Sequence, residues 1–297
     1  MRVTFNTGMA SLLHEVNGVA ERLKARQLEV ATGKRVQVPS DDPAATVGIV
    51  SENATVQTLD RFARTADSAE ARLRVTDSVL TNLVDELQSA LTQAAAGRNS
   101  TLTQESRNAT ALAIAGLRDS ILSTVNTQYQ GGYLFSGGRS TTAPYTKTGS
   151  TVSGYQGDTT IVSVDISRSR SVAVTVNGDA VLRGTDASDV FSVLTSLATA
   201  VQNGDSNAID QGIGALNRAF TRATEAQSRV GTDLAAIAEE QARLGETKRA
   251  SNARRATLED ANLAEAISGM NAAQQSQQAT LAVLGQTNRL SLLDYLR

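Results

Sequence analysis

The chain has 297 residues, 40% of them hydrophobic but only 3% aromatic, a composition that suits thin helical bundles better than a thick aromatic core. Its net charge of −2 gives no reason to expect nucleic acid or an anionic membrane as partner. With no cysteine and a single histidine, His14, it excludes disulfides, thiolate zinc sites and cysteine nucleophiles, and leaves a histidine-based metal site without a second ligand.

Near the start, apolar residues recur at Phe5, Met9, Leu12, Val16, Val19, Leu23 and Val30. The alternation of three and four is a heptad seam, the mark of an amphipathic helix that seeks another helix. Gly33 is expected to end it, with Lys34 and Arg35 suited to a helix C-terminus. In "VPSDDPAAT" (residues 38–46), Ser40, Asp41 and Asp42 are capping residues and Pro43 fits the first helical position. Asp41 and Asp42 could also be read as a catalytic carboxylate pair, but their place just before Pro-Ala-Ala favours capping.

A second seam runs through Phe62, Ala66, Ala69, Leu73, Thr76, Leu80, Leu83, Leu87, Ala90 and Ala94, which predicts one long helix. "GRNS" (residues 97–100) breaks it, and a third helix is expected to about Asn126 through Leu112, Leu117, Ile121 and Val125. Next comes "QGGYLFSGGRSTTAPY" (residues 130–145), where the glycines raise the question of a phosphate loop. Such loops follow a strand and open a helix; here a helix ends and strands begin. The expected role is a helix-to-sheet junction, with Tyr133, Leu134 and Phe135 plugging the base of an insert.

Beyond it, residues 160–167 and 172–184 alternate with a period of two, and Asn177-Gly178 is a type I′ hairpin signal. Residues 131–185 therefore read as a small β insert, expected to be peripheral to the core and replaceable over 146–183 by a short linker. Helices resume at 188–200 and again after "NGDSN" (residues 203–207). If helical throughout, residues 208–295 would reach about 130 Å, so a break or two is expected. Glu239, Glu240 and the cluster Lys248, Arg249, Arg254 and Arg255 read as a solvated helix face, the basic group also as a surface for neighbouring subunits. No nucleophile–base set is present, so no enzyme is expected.

The expected fold class is mainly α with a β insert: an elongated helical bundle or coiled-coil rod made from both chain ends, with a small β domain at the tip. Its expected divisions are terminal arms (1–42 with 256–297), a helical rod (43–130 with 186–255) and an outer β domain (131–185). The arms carry too few large apolar side chains to offset the entropy of ordering them alone, so they are expected to be frayed until they pack laterally. No apolar run is long enough for a membrane span or a secretory signal. By these signals alone the location would be cytoplasmic.

Three segments together resemble the flagellin superfamily and, within it, the hook-associated proteins of type 3, the hook–filament junction family. "LEVATGKRVQVPSDDPAA" (residues 28–45) is similar to the helix–"SG.RI..PSDDPA"–helix signature, with Thr32-Gly33 in place of Ser-Gly. "LEDANLAEAISGMNAAQQSQQATLAVLGQTNRLSLLDYLR" (residues 258–297) looks like the C-terminal helix of the family. "GGYLFSGGRSTTAPY", followed by "VSGYQGD" (residues 152–158), resembles the junction family's lead-in to its outer domain. The terminal motifs alone are shared with flagellin, so a minor flagellin is the alternative. A soluble coiled-coil scaffold also fits the seams.

The resemblance implies a structural protein with no cofactor and no metal. It implies self-association in a ring between the other hook-associated junction protein and flagellin, an export chaperone, and export by the flagellar type III apparatus. The expected location therefore becomes extracellular, on the flagellum. The expected assembly interface is Phe5, Met9, Leu12, Val16, Val19 and Leu23, facing Leu263, Ile267, Leu281 and Leu284 of the same chain or a neighbour. Gly33, Asp41, Asp42 and Pro43 form the turn between helices.

Overall fold

The structure, a computed structural model, describes residues 2–149 and 151–295, and the side chains of 10, 11, 13–149 and 151–286. The side chains of Phe5, Met9 and Leu12, and those of residues 287–297 in the C-terminal segment that resembles the family's last helix, lie outside the described residues. The architecture is mainly α. Among the described residues there are seven helices, α1 (Arg2–Thr32), α2 (Pro43–Gly97), α3 (Gln104–Val125), α4 (Gly178–Leu182), α5 (Val190–Asn203), α6 (Ser206–Glu259) and α7 (Leu263–Tyr295), and a small strand-containing region between α3 and α5 in chain order. That region holds β1 (Gln128–Tyr129), β2 (Gly132–Tyr133), β3 (Lys147–Thr148), β4 (Thr151–Val152), β5 (Ser163–Asp165) and β6 (Ser171–Ala173).

Short polar side chains set the helix starts. The Thr103 hydroxyl accepts the Ser106 N–H at 3.2 Å, and Asp189 accepts the Ser192 N–H at 2.8 Å. Asp205 accepts two N–H groups at the start of α6, from Asn207 and Ala208. Each satisfies donors that a helix N-terminus otherwise leaves open. Gly33 and Gly204, with φ of 68° and 71°, close α1 and α5 in the left-handed conformation that glycine adopts without penalty.

The chain divides into two compact units. One holds residues 1–58 and 247–297, the other 59–246. In the first, helices from the two chain ends, α1 and α7, pack on each other. Both arms, expected to be frayed in the isolated chain, are helical here, because each offers the other a face and the backbone bonds internally. In the second unit, the α2 seam is buried as its periodicity predicts: Leu73, Thr76, Leu80, Leu83, Leu87, Ala90 and Ala94 are all inside, and α3 packs on α5.

Three expectations are corrected. Leu112 is not a seam residue of α3: it is 75% exposed, and the buried face runs through Ala111, Ile114, Arg118, Ile121, Leu122 and Val125. The three-four spacing on this helix admits either stripe, and α5 selects the one that holds Ile114 and Arg118.

The Asn177-Gly178 hairpin does not form. Asn177 has φ −80° and instead caps α4, its Oδ1 accepting the N–H groups of Asp179 and Ala180. Gly178 is needed for close approach: its N–H donates to Phe135 O at 3.0 Å, and a Cβ there would lie 2.7 Å from that same oxygen. The strands are three separate antiparallel pairs rather than one sheet, and the β5–β6 pair turns at 166–170, ten residues before the signal.

Nor is the insert peripheral. Ile166, Val172, Val174, Val181 and Leu182 belong to the same hydrophobic core as Leu73, Leu80 and Phe191. The strands are short, so their apolar faces need the helices for cover.

Candidate assembly surface

The residues expected to act lie in the unit of the two chain ends, and a backbone clamp organises it. The turn after α1 pairs with the break between α6 and α7. Arg35 N donates to Glu259 O at 2.8 Å, Ala261 N to Gly33 O at 2.8 Å, and Lys34 bridges to Asp260 as an isolated β pair. The Lys34 ammonium is ion-paired with Glu259, and Arg35 Nη2 donates to Leu258 O at 3.1 Å. The expected break in the C-terminal helix thus falls at Asp260–Asn262, where Asn262 Oδ1 accepts the Ala264 N–H at 3.2 Å.

Asp41 and Asp42 are structural, and each holds different donors. Asp41 Oδ2 accepts the N–H groups of Val38 and Gln37, both at 2.9 Å, and these bonds hold its carboxyl below the usual carboxylate range. Asp42 Oδ1 accepts the Ala45 N–H at 2.9 Å, capping α2, and its Oδ2 pairs with Arg35 at 3.0 Å. The cap bond first, and then Arg35, lower its pKa. Pro43 opens α2, and Ala45 is buried beneath the cap.

The basic cluster is not simply a solvated face. Arg254 grips Glu52 of α2 through Nε at 2.7 Å, and Arg255 Nη1 donates to Asn53 Oδ1 at 2.9 Å. Gly48 lets α6 come close here, since a Cβ would lie 2.7 Å from Leu258 Cδ1. Glu240, in the larger unit, is 3% exposed and held by Arg243 at 2.5 Å.

The expected seam splits in two. Val19 and Leu23 are buried, Val16 is half-buried, and among the described side chains of α7 the buried one is Ala266. Leu263, Ile267 and Leu281 stay exposed, at 51%, 44% and 48%, and Leu284 is half-buried. With Leu13, Leu28, Val38, Val47, Val50 and Val283 they make nine of the twelve large apolar side chains exposed among the described residues, all in the smaller of the two units. The expected junction residues lie in the other unit: Leu134 and Phe135 are fully buried and Tyr133 half-buried.

Sequence reasoning missed the clamp of Lys34, Arg35, Glu259 and Asp260. Asn262 is a readable cap signal, but the pairing of Lys34 and Arg35 with residues more than 220 positions further on is not. Among the described residues no cluster of His, Asp and Glu could hold a metal, and no helix is long and apolar enough to cross a membrane.

The profile of the bacterial flagellin N-terminal helical region matches residues 4–140, and that of the flagellin C-terminal helical region matches residues 213–296. The chain belongs to the flagellin family. It is thus a structural protein and not an enzyme, and the two matched regions contain the clamp, the caps and the exposed apolar residues of the terminal unit.

Within curated flagellar proteins, this flagellin-family chain is 30% identical over 193 residues to flagellar hook-associated protein 3 of Escherichia coli. It is 28% identical over 190 residues to the protein of that name in Salmonella typhimurium. The alignments cover 64% and 63% of this chain and 56% of each relative, so the chain spans little more than half the length of the curated relatives it matches.

Solved structures share the fold. A putative flagellar hook-associated protein of Vibrio parahaemolyticus superposes with a TM-score of 0.68 at 18% identity, over 74% of this chain and 100% of the other. FlgL of Xanthomonas campestris gives 0.62 at 18%, over 69% and 99%, and the flagellar junction protein FlgL of Legionella pneumophila gives 0.61 at 16%, over 72% and 100%.

Proposed function

We propose that this chain is a flagellar hook-associated protein that forms the junction ring between hook and filament, on which flagellin polymerises. The similarity to hook-associated protein 3 over 193 residues carries the reading. The apolar surface of the terminal unit supports it, because a subunit built for lateral packing must expose apolar area before it assembles. On this reading residues 1–42 and 256–297 are the assembly core. Val19 and Leu23 hold α1 to α7, and Leu263, Ile267 and Leu281 meet neighbouring subunits. The partners are further copies, a second hook-associated protein, flagellin and an export chaperone, and the route is the flagellar type III apparatus.

Electron microscopy of a deletion strain tests the reading. Hooks without filaments, with flagellin shed into the medium, are the expected result, reversed by the intact gene. Normal hooks bearing filaments of altered length or composition would instead make the chain a minor flagellin.

A further inference from the structure

The larger unit carries a concave surface that the assembly reading does not use. It encloses about 500 Å³ between α2 and two of the strand pairs, and its walls include Arg61, Arg64, Arg72, Tyr129, Gln130 and Val174. No carboxylate lines it, although the chain as a whole carries 30 acidic against 28 basic residues.

Arg72 is the informative residue. It is half-buried, and its Nε donates to Val174 O at 2.7 Å, which fixes the guanidinium against the β6 end of the insert. That bond uses one of five donors. Among the described residues neither Arg72 nor Arg64 has a carboxylate partner. Burial pulls the Arg72 pKa down, opposed by the phenol of Tyr129. A partly desolvated cation without a counter-charge is costly, and a concave site of one sign focuses its field on an incoming anion.

The facing wall is held in an uncommon shape. Gln130 has φ +50°, the one left-handed residue other than glycine among the described residues, and its amide donates to Tyr129 Oη at 3.3 Å. Such conformations cost energy and cluster where a site must be shaped.

We propose that this groove binds an acidic peptide segment of a partner protein, with two carboxylates received by Arg64 and Arg72, which lie eight residues and about 12 Å apart along the α2 axis. Nucleic acid is the weaker fit, since its affinity rests on many phosphate contacts and the chain as a whole is acidic. Guanidinium groups pair with carboxylates through two parallel bonds, and Tyr129 lines the same groove.

The test uses the purified full-length chain and a fluorescein-labelled hexaglutamate peptide, read by anisotropy. Binding should weaken at least tenfold in an Arg64→Gln, Arg72→Gln double variant, and should weaken on raising salt from about 50 to 300 mM. The control Arg229→Gln, away from the groove, should bind within twofold of the parent. If Arg72→Gln disturbs the fold by circular dichroism, Arg64→Gln alone should still weaken binding at least threefold.

Equal binding by the parent and the arginine variants overturns the proposal, as does equal binding of hexaglutamine. Full displacement by millimolar inorganic phosphate would make this a small-anion site. Tighter binding of a single-stranded oligonucleotide would make it a general polyanion patch. Either result overturns the peptide assignment.

Discussion

Two aspartates side by side in the sequence do different work. Asp41 ties down the loop and Asp42 caps α2 while holding Arg35. Because the folded-state pKa of Asp42 is depressed, its stabilisation is complete above the unfolded carboxylate pKa and is lost as pH falls through the folded value. Asp42→Ala should therefore lower the urea midpoint at pH 7, and the deficit should shrink as pH falls below the unfolded carboxylate range. A deficit that persists unchanged at low pH would mean that the carboxylate is not the stabilising group. Phe135 is fully buried, and its carbonyl accepts from Tyr155 Oη at 2.9 Å and from Gly178 N at 3.0 Å. Phe135→Ala leaves those backbone bonds possible but opens a cavity, so a loss of about 3–5 kcal/mol is expected from calorimetry or denaturant unfolding. Gly137 shows why the stretch is glycine-rich: at φ +63° a Cβ would lie 1.9 Å from Asp158 O.

At the scale of elements, the long helices were legible and the insert was not. The α2 seam needed only its repeat, because ten positions at three-four spacing determine one face of a helix. The insert has strands of two or three residues, too short for an alternation to set pairing or register. Its apolar residues were visible as a period of two, but the structure places several of them in the core of the helices. Replacing residues 146–183 by a Gly-Ser linker removes Ile166, Val172, Val174, Val181 and Leu182 from that core. It should cost more than about 5 kcal/mol and lower the melting midpoint of the unit, read by circular dichroism. A variant that melts like the parent would restore the view of the insert as a peripheral attachment.

At the scale of the whole molecule, burial separates residues that hold the chain together from exposed apolar residues that, in the proposed function, meet neighbouring subunits. Ile267→Asp and Leu281→Asp change side chains already half exposed, so each should leave monomer stability within about 0.5 kcal/mol. Charges at those positions would be buried unpaired in an assembled ring, so neither variant should restore filaments to a deletion strain. Full motility with either substitution would move the assembly surface elsewhere. From its own order of residues the chain determined most helix positions, the caps at Asp41 and Asp42, the seam of α2, the lack of thiol chemistry, and the flagellin resemblance that the family profiles confirm. All of these rest on local periodicity or on residue types, and so are readable without knowing what lies opposite. Tertiary structure alone decided that Asn177 caps a helix, that the insert shares the helical core, and that Lys34 and Arg35 clamp the break at Asp260. In each case the deciding partner is remote in sequence. Phe135 O lies 43 residues before Gly178, and Glu259 O lies 224 residues after Arg35. A local pattern can show that a polar group or an apolar face needs a partner, but only the folded backbone brings the particular partner within 3 Å.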